Sequence, residues 1–495
     1  MNTASLYPGT IVVALAVLAG AVVAYGSWQV SAALVIASAV AAGLILARKA
    51  LSRLPGASTA AEEREVEGAH EFRLARFVFY LGAASIGLLT VRPALALTLS
   101  DWIFFACFGL TCLALFTSRT DRDYLVPVTI TLGVGLFAFG GFISSFGAIM
   151  TIESLSIIAR LLYLTVVWFW LATTLLQTRR HVEIAAAAWV ASAALSASGA
   201  LVQFFSGDVI PGGDSAWGRM TGFTPHYNHL GGLVAIAFVP ALMFAVDSPQ
   251  RRRRIFGTVA IGFLAAGLLL SGSVGGLLAT ACSVVFWIAI RGITMQTALR
   301  LSATVLVGTV LVVAVGATGD PIGRIKRVTS AEEAAAGTGG SVYTRLEGYG
   351  EAWTRIAEQP LVGVGLDQAS SEAVLGPKLV HNMLILQWFT AGILGLIGII
   401  AIICGVVLTA ARLIRSSGPQ VSALSAAFLA SVVAFVVFGM GEPILFVRYG
   451  WFPAALLVAL HAQRRRAEAP ARAAVRAARS RRVAPPAARR PLATQ

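Results

Sequence analysis

The sequence predicts an all-α polytopic membrane protein with about 14 transmembrane helices of ~20 residues each. Three observations predict it. Of 495 residues, 57% are hydrophobic and only 12% charged, which excludes a water-soluble globular chain, a disordered chain and a fibrous one. Apolar runs recur along nearly the whole length and leave no room for a large soluble catalytic domain. Finally, most of the 38 Lys and Arg fall in alternate connections between those runs, the distribution that cytoplasmic loops acquire in membrane proteins.

The first two runs, 8–26 and 29–47, open the chain. The N-terminus is apolar but uncharged, lacks a convincing cleavage site and leads straight into the second run, so it reads as a span and not as a removable signal peptide. A mixed-charge cytoplasmic connection at 48–76 reads as a surface helix. The next runs, 77–95 and 100–117, are interrupted by Arg92, Pro93 and Asp101. Spans at 125–146, 154–176 and 184–203 lead to an outer segment at 204–229, and spans at 230–247, 255–271, 275–290 and 301–317 follow it. A second outer segment, 318–380, precedes the last spans at 381–411, 421–440 and 448–463. With the N-terminus inside, the cytoplasmic cations are Arg48 to Arg76, Arg119, Arg122, Arg179, Arg180, Arg251 to Arg254, Arg291, Arg300, Arg412, Arg415 and the tail. Both termini are therefore expected in the cytoplasm.

Four parts are expected: a transmembrane bundle over 1–317 carrying the outer loop 204–229, an extracytoplasmic loop over 318–380, C-terminal transmembrane helices over 381–463, and a tail over 464–495. The tail holds ten arginines and one glutamate among Ala and Pro. It reads as a disordered stop-transfer signal touching anionic headgroups, not as a nucleic-acid site. Cys107, Cys112, Cys282 and Cys404 all lie inside apolar runs; without metal-ligand spacing or an exposed pair they read as small core residues.

The cations left on the outer side are Arg92, Arg160, Arg219, Arg324, Lys326, Arg327, Arg345, Arg355, Lys378 and Arg448. Each opposes the topology rule, and an anionic ligand supplies the reason. Arg160 falls within a span, where an unpaired charge costs several kcal/mol and marks a functional or networked residue. The outer segment Trp217 to His229 offers Arg219, His226, Asn228, His229 and two aromatics. These suit sugar stacking and phosphate neutralisation, yet they are also ordinary interfacial residues. His226 and His229 have no carboxylate or cysteine at a supporting spacing, which argues against a metal. Glu442 and Arg448 either pair with each other or join the site.

Within the long loop, 329–341 reads as flexible. Ser341 then reads as the cap of a helix whose Val342, Leu346, Tyr349, Trp353 and Ile356 share one face, with Arg345, Tyr349 and Ala352 on a neighbouring stripe. A tight turn at Pro360–Gly365 follows, and the chain re-enters the membrane at His381-Asn382. His381 is an imidazole at the water–membrane boundary beneath a basic loop. It is either a general base, with a reference pKa near 6.5, or an interfacial capping residue.

Taken together, these motifs resemble the bacterial O-antigen ligase and O-antigen polymerase superfamily. The likeness rests on Arg345-Leu346-Glu347-Gly348-Tyr349-Gly350-Glu351-Ala352-Trp353, then Pro360-Leu361-Val362-Gly363-Val364-Gly365, then His381-Asn382, then Thr390-Ala391-Gly392-Ile393-Leu394-Gly395. Arg219 to Gly232 and Arg92 to Asp101 add to it. One departure stands out: where relatives often carry Ser-Arg-Gly, this chain reads Ser273-Val274-Gly275, so the cationic site must be completed differently or the substrate differs.

The resemblance implies a C-type-like glycosyltransferase architecture with a long helical extracytoplasmic loop. It implies glycan transfer in the plasma (inner) membrane, from an undecaprenyl-diphosphate carrier to a glycan, lipid or protein acceptor hydroxyl on the outer face, without a metal, cofactor or nucleotide sugar. Under it His381 is the catalytic base, Asn382 orients it or the acceptor, Arg219 and Arg345 bind the diphosphate, and Arg160, Arg448 and Asn228 support the site. Ligase and polymerase share the donor and are not separated by it. The competing class is a transporter or flippase for a lipid-linked glycan or small anion, which fits the span number but predicts repeats and broken helices meeting at mid-membrane.

Overall fold

A computed structural model describes residues 72–92, 97–118, 125–207, 213, 218–292, 341–376 and 378–483. The expected spans at 8–26, 29–47 and 301–317, residues 329–340 of the stretch expected to be flexible, Trp217, Pro93, Arg324, Lys326 and Arg327 lie outside these residues. The described chain is helical: α1 Arg73–Ser85, α2 Leu99–Ser118, α3 Val128–Ser145, α4 Thr151–Leu162, a π-helical turn Tyr163–Val167, α5 Trp168–Leu175 and α6 Arg179–Ser206. There follow α7 Tyr227–Asp247, α8 Arg251–Ser271, α9 Val274–Arg291, α10 Ser341–Glu358, α11 Gln368–Leu375, α12 Met383–Ser416, α13 Pro419–Gly439 and α14 Arg448–Val483.

Among the described residues nine helical segments are long and apolar enough to cross a membrane, and large apolar side chains such as Phe116, Leu132, Phe139, Ile152 and Val285 face outward from them. In water such a surface would drive aggregation; lipid makes it the favourable one. The chain is a multi-pass membrane protein. Its centre is aromatic: Phe452 of α14 meets Trp168, Trp189 and Phe79 at ring separations of 6.0, 5.7 and 6.0 Å.

Contacts sort the helix ends into two groups. At one end Arg76 donates to the Leu175 carbonyl, Arg253 pairs with Glu183, Arg291 with Asp247, and Gln463 donates to the Leu176 carbonyl. At the other end Thr90 N–H donates to the Phe223 carbonyl, Met220 N–H to Leu270, and Ile149 N–H to the Ser370 hydroxyl. This alternation is the one the hydrophobic runs require, and Gly292 and Ser341 fall at opposite ends.

Several expectations need correction. The crossing placed at 77–95 is a helix of only 13 residues; Ile86 to Val91 complete it as turns, because their amides find partners at Ser85, Leu88, Ser192 and Phe223 outside a helical ladder. The last helix does not stop at Gln463 but continues to Val483, favoured by its Ala and Arg content and by an Arg464–Glu468 pair one turn apart. Cys107 is buried as expected, whereas Cys112 and Cys404 are exposed on helices facing lipid.

α12 is 34 residues, or ~51 Å, against a hydrocarbon core of ~30 Å. It is broken at Gly392, where φ is 71° and ψ −173°, a region open only to glycine. The break frees carbonyls at Phe389 and Thr390. The Pro360–Gly365 turn fills it: Val364 N–H donates to Phe389 O at 3.0 Å, Gly365 N–H to Thr390 O at 3.1 Å, and Ile393 N–H returns a bond to Pro360 O at 3.2 Å. Below the break, Gly133 and Gly140 of α3 lie against Gly398 and Gly395 of α12 with no room for a side chain between them, the small-residue packing of membrane helices.

Candidate active site

The site lies at the end of the bundle opposite the Arg253–Glu183 pair, where the starts of α7 and α12, the end of α13 and helix α10 converge. Four capping side chains set these elements. His226 Nδ1 accepts from Asn228 N–H at the start of α7, Ser273 Oγ from Gly276 N–H at the start of α9, and Asp367 from Ser370 N–H at the start of α11. Asn382 Oδ1 accepts from both Leu384 and Ile385 N–H at 3.0 and 3.1 Å. Such caps satisfy donors that a helix cannot. Asn382 is thus committed to α12 through its oxygen, and its amide nitrogen faces Met440 Sδ at 3.8 Å.

Of the two stripes on helix α10, the one with Arg345, Tyr349 and Ala352 faces the protein, joined by Ile356 of the apolar face. Ala352 and Ile356 are buried with Leu375, Val380 and Phe389, while Val342, Leu346 and Trp353 are 37%, 57% and 55% exposed. The chain below α10 is narrow: Gly348 meets the Leu379 carbonyl, and the Tyr349 hydroxyl donates to the carbonyls of His381 and Met440 at 3.0 and 3.4 Å. Seating on this stripe turns Arg345 inward and leaves the bulkier apolar residues outside.

Glu442, in the connection between α13 and α14, is the hub. Its Oε1 accepts from Arg345 Nη2 at 2.8 Å and from Asn228 Nδ2 at 2.6 Å, and its Oε2 lies 3.6 Å from His381 Nδ1. Arg219 Nη2 donates to Asn228 Oδ1 at 2.7 Å and its Nε to the Ser271 carbonyl at 2.8 Å. The same guanidinium stacks 3.3 Å from the centre of the Tyr227 ring, a cation–π contact. Burial alone would raise the Glu442 carboxyl, but His381 and Arg345 beside it outweigh that and hold it below its ordinary value of 4.5. A continuous chain therefore runs Arg219–Asn228–Glu442–Arg345, with the half-buried His381 facing the same carboxylate.

Five of the residues read from sequence, His381, Arg219, Arg345, Asn228 and Asn382, come together here. Arg448 and Arg160 do not. Arg448 pairs with Asp101 and not with Glu442, Nε lying 2.9 Å from both carboxylate oxygens. Arg160 is exposed on α4, within electrostatic reach of Arg448, Asp101 and Arg92. His226 and His229 serve separately, the second facing the Tyr449 hydroxyl at 3.1 Å. At the Ser273-Val274-Gly275 departure, Val274 is 41% exposed, and Arg219 reaches the Ser271 carbonyl of the same turn. Glu442 and Tyr349 were the residues sequence reasoning undervalued. The usable signal for Glu442 was a lone carboxylate at the outer end of a span, beneath uncompensated cations.

Comparison with curated proteins finds no match. Residues 259–400 match the family model described as O-antigen ligase. The matched stretch takes in most of α8, α9, α10, the Pro360–Gly365 turn, α11, His381, Asn382 and the broken start of α12, while Arg219, Asn228 and Glu442 lie outside it. The resemblance read from the motifs is supported over that stretch: the chain is a multi-pass membrane protein whose residues 259–400 are similar to the O-antigen ligase family.

Proposed function

We propose that the chain transfers a glycan from an undecaprenyl-diphosphate carrier to an acceptor hydroxyl at the outer face of the plasma membrane, with both termini in the cytoplasm. The matched domain supports glycan transfer as the class of activity. The observation that carries the finer reading is the meeting of one imidazole, one carboxylate and two arginines at Glu442.

In this reading Glu442 Oε2 orients the imidazole through Nδ1 and leaves Nε2 to take the proton of the acceptor hydroxyl. The acceptor oxygen attacks the anomeric carbon as the bond to the diphosphate oxygen breaks, and the proton passes to His381, whose positive charge Glu442 then balances. Attack opposite the leaving group inverts the anomeric carbon. Arg219 and Arg345 stand where negative charge grows on the departing diphosphate; a guanidinium fork fits phosphate oxygens and remains charged throughout. Tyr349, donating to the His381 carbonyl, holds the base in place from behind. The missing arginine at Val274 is made good by Arg219, which reaches the same turn.

A charge within a span favours the transporter alternative, but Arg160 has Arg448, Asp101 and Arg92 within electrostatic reach, which supports a local charged cluster instead. Turnover separates the two classes. Purified protein in detergent, given a polyprenyl-diphosphate glycan and acceptor, is expected to release carrier diphosphate and form a new inverted glycosidic bond; donor returned intact under all conditions would sink the enzymatic reading.

A further inference from the structure

The end of the bundle away from the Glu442 site carries its own excess of charge. Six arginines, Arg179, Arg180 and Arg251 to Arg254, stand at the starts of α6 and α8. Glu183 pairs with two of them, Arg179 at 3.2 Å and Arg253; the nearby Asp247 is taken by Arg291 at 3.0 Å. Four successive arginines in the first turn of α8, with no acid among them, also oppose the dipole of that helix. Cytoplasmic connections are expected to be basic, so charge alone assigns nothing here.

What sets this end apart is the surface above the arginines. Between α6 and α8 lies an apolar furrow of about 400 Å³, walled by Ala191, Ala194 and Ser198 on one side and by Phe256, Val259 and Phe263 on the other. That volume falls within the ~300–1,000 Å³ usual for small-molecule sites. Both ends are closed. Gly267 lies against Ala197 with no room for a side chain, and Arg253 and Glu183 pair across the opposite end. The furrow faces outward, Val259 and Phe263 being 52% and 38% exposed.

The arginines and the furrow share one stripe on each helix. On α6 the positions 180, 184, 187, 191, 194 and 198 repeat at helical spacing, and on α8 the positions 252, 256, 259 and 263 do so. Arg180 and Arg252, both exposed, therefore stand at the foot of the furrow. From Arg252 to Phe263 is a rise of ~16 Å, about one leaflet of a hydrocarbon core ~30 Å thick. The ligand that fits has an anionic head and an apolar chain one leaflet long. A free phosphate leaves the furrow unfilled, and a second helix leaves the arginines unbalanced.

We propose that α6 and α8 hold one anionic diacyl phospholipid of the cytoplasmic leaflet, its phosphate at Arg180 and Arg252 and one acyl chain in the furrow. The leaflet follows from the orientation proposed above; the site itself does not depend on it. Its position matters because the same two helices suspend the loop that carries Arg219. Gln203 of α6 accepts from Thr221 and Gly222 N–H at 3.0 and 2.7 Å, and Leu270 and Ser271 of α8 accept from Met220 N–H and Arg219 Nε at 3.0 and 2.8 Å. A lipid wedged below fixes the separation of the two supports.

Native mass spectrometry of the full chain in detergent, titrated with phosphatidylglycerol or phosphatidylethanolamine, tests the site, with thermal unfolding alongside. The wild type is expected to retain one equivalent of phosphatidylglycerol at least ~10-fold more tightly than phosphatidylethanolamine, and to unfold at a higher temperature with it. Arg180→Gln/Arg252→Gln should weaken that equivalent ~10-fold or more. Ala191→Trp, which fills the furrow from an exposed position, should abolish it, and neither variant should show the thermal rise. Equal retention of the two lipids overturns the proposal. So does a phosphatidylglycerol equivalent that survives Ala191→Trp, which would mean headgroups gathered by a basic surface alone. A dimer of the chain that Ala191→Trp dissociates would give the furrow to a second copy and overturn it as well. These readouts are bound lipid, mass and unfolding, so they stand whether or not the chain forms a glycosidic bond.

Discussion

Glu442 shows how a single carboxylate can make a cationic site workable. Two arginines and a histidine gathered at a membrane surface repel one another; one acceptor among them fixes their directions and leaves a net positive charge for the substrate. Glu442→Gln keeps the shape but removes the charge, so Arg345 loses its counter-ion and His381 its orienting partner. Transfer should fall about 100-fold, measured as carrier release, with protein abundance near normal. The pH dependence has a definite sign. Because the folded-state carboxyl is held below 4.5, its pairing contributes stability above that value and loses it only as pH falls through the lowered one. Thermal unfolding in detergent from about pH 7 to about pH 3 should therefore show an acid loss that Glu442→Gln flattens; identical profiles would remove Glu442 from the network. Arg219 and Arg345 stood out in sequence as cations where topology disfavours them, and His381 and Asn228 through the motifs that carry the family resemblance. Glu442 stood out less, since its partners Arg345 and Asn228 lie 97 and 214 positions away, a separation that no local pattern encodes.

At the scale of elements, the broken start of α12 is what positions the base. Asn382 caps the first segment and Gly392 ends it; the Pro360–Gly365 turn supplies the hydrogen bonds that the break removes. Gly392→Ala adds a Cβ against the Leu361 carbonyl at a left-handed φ. It should cost about 1–3 kcal/mol, seen as a lowered unfolding temperature and faster proteolysis between Glu358 and Lys378. Unchanged stability would mean the turn does not depend on the break. The motif residues of this region stood out in sequence, but the break did not. An apolar run reads the same whether its helix is continuous or interrupted, and only the close approach of a second backbone makes the glycine necessary. Which stripe of α10 faces the protein was not legible for a related reason. Periodicity favoured the stripe with the largest apolar residues, while the surface beneath is narrow and takes Gly348 and Ala352, leaving Val342, Leu346 and Trp353 outward at a membrane boundary.

For the whole molecule, hydrophobic runs were sufficient to place most of the described helices along the chain, because desolvation of long segments demands them. They say nothing about which ends meet, and that is what joins Asn228, Arg345, His381 and Glu442. The proposed orientation makes a direct prediction. With the native cysteines replaced by serine, a membrane-impermeant maleimide should label Ala373→Cys, beside the site, in intact cells, and Arg465→Cys only after the membrane is opened; the reverse pattern would invert the topology. The central claim, that His381 removes the acceptor proton while the arginines hold the diphosphate, is tested most directly by His381→Ala in purified form. Donor binding should stay within about threefold of wild type while the rate of glycosidic bond formation falls by about 100-fold or more. Full turnover in that variant, or loss of donor binding in step with loss of rate, would contradict the assignment.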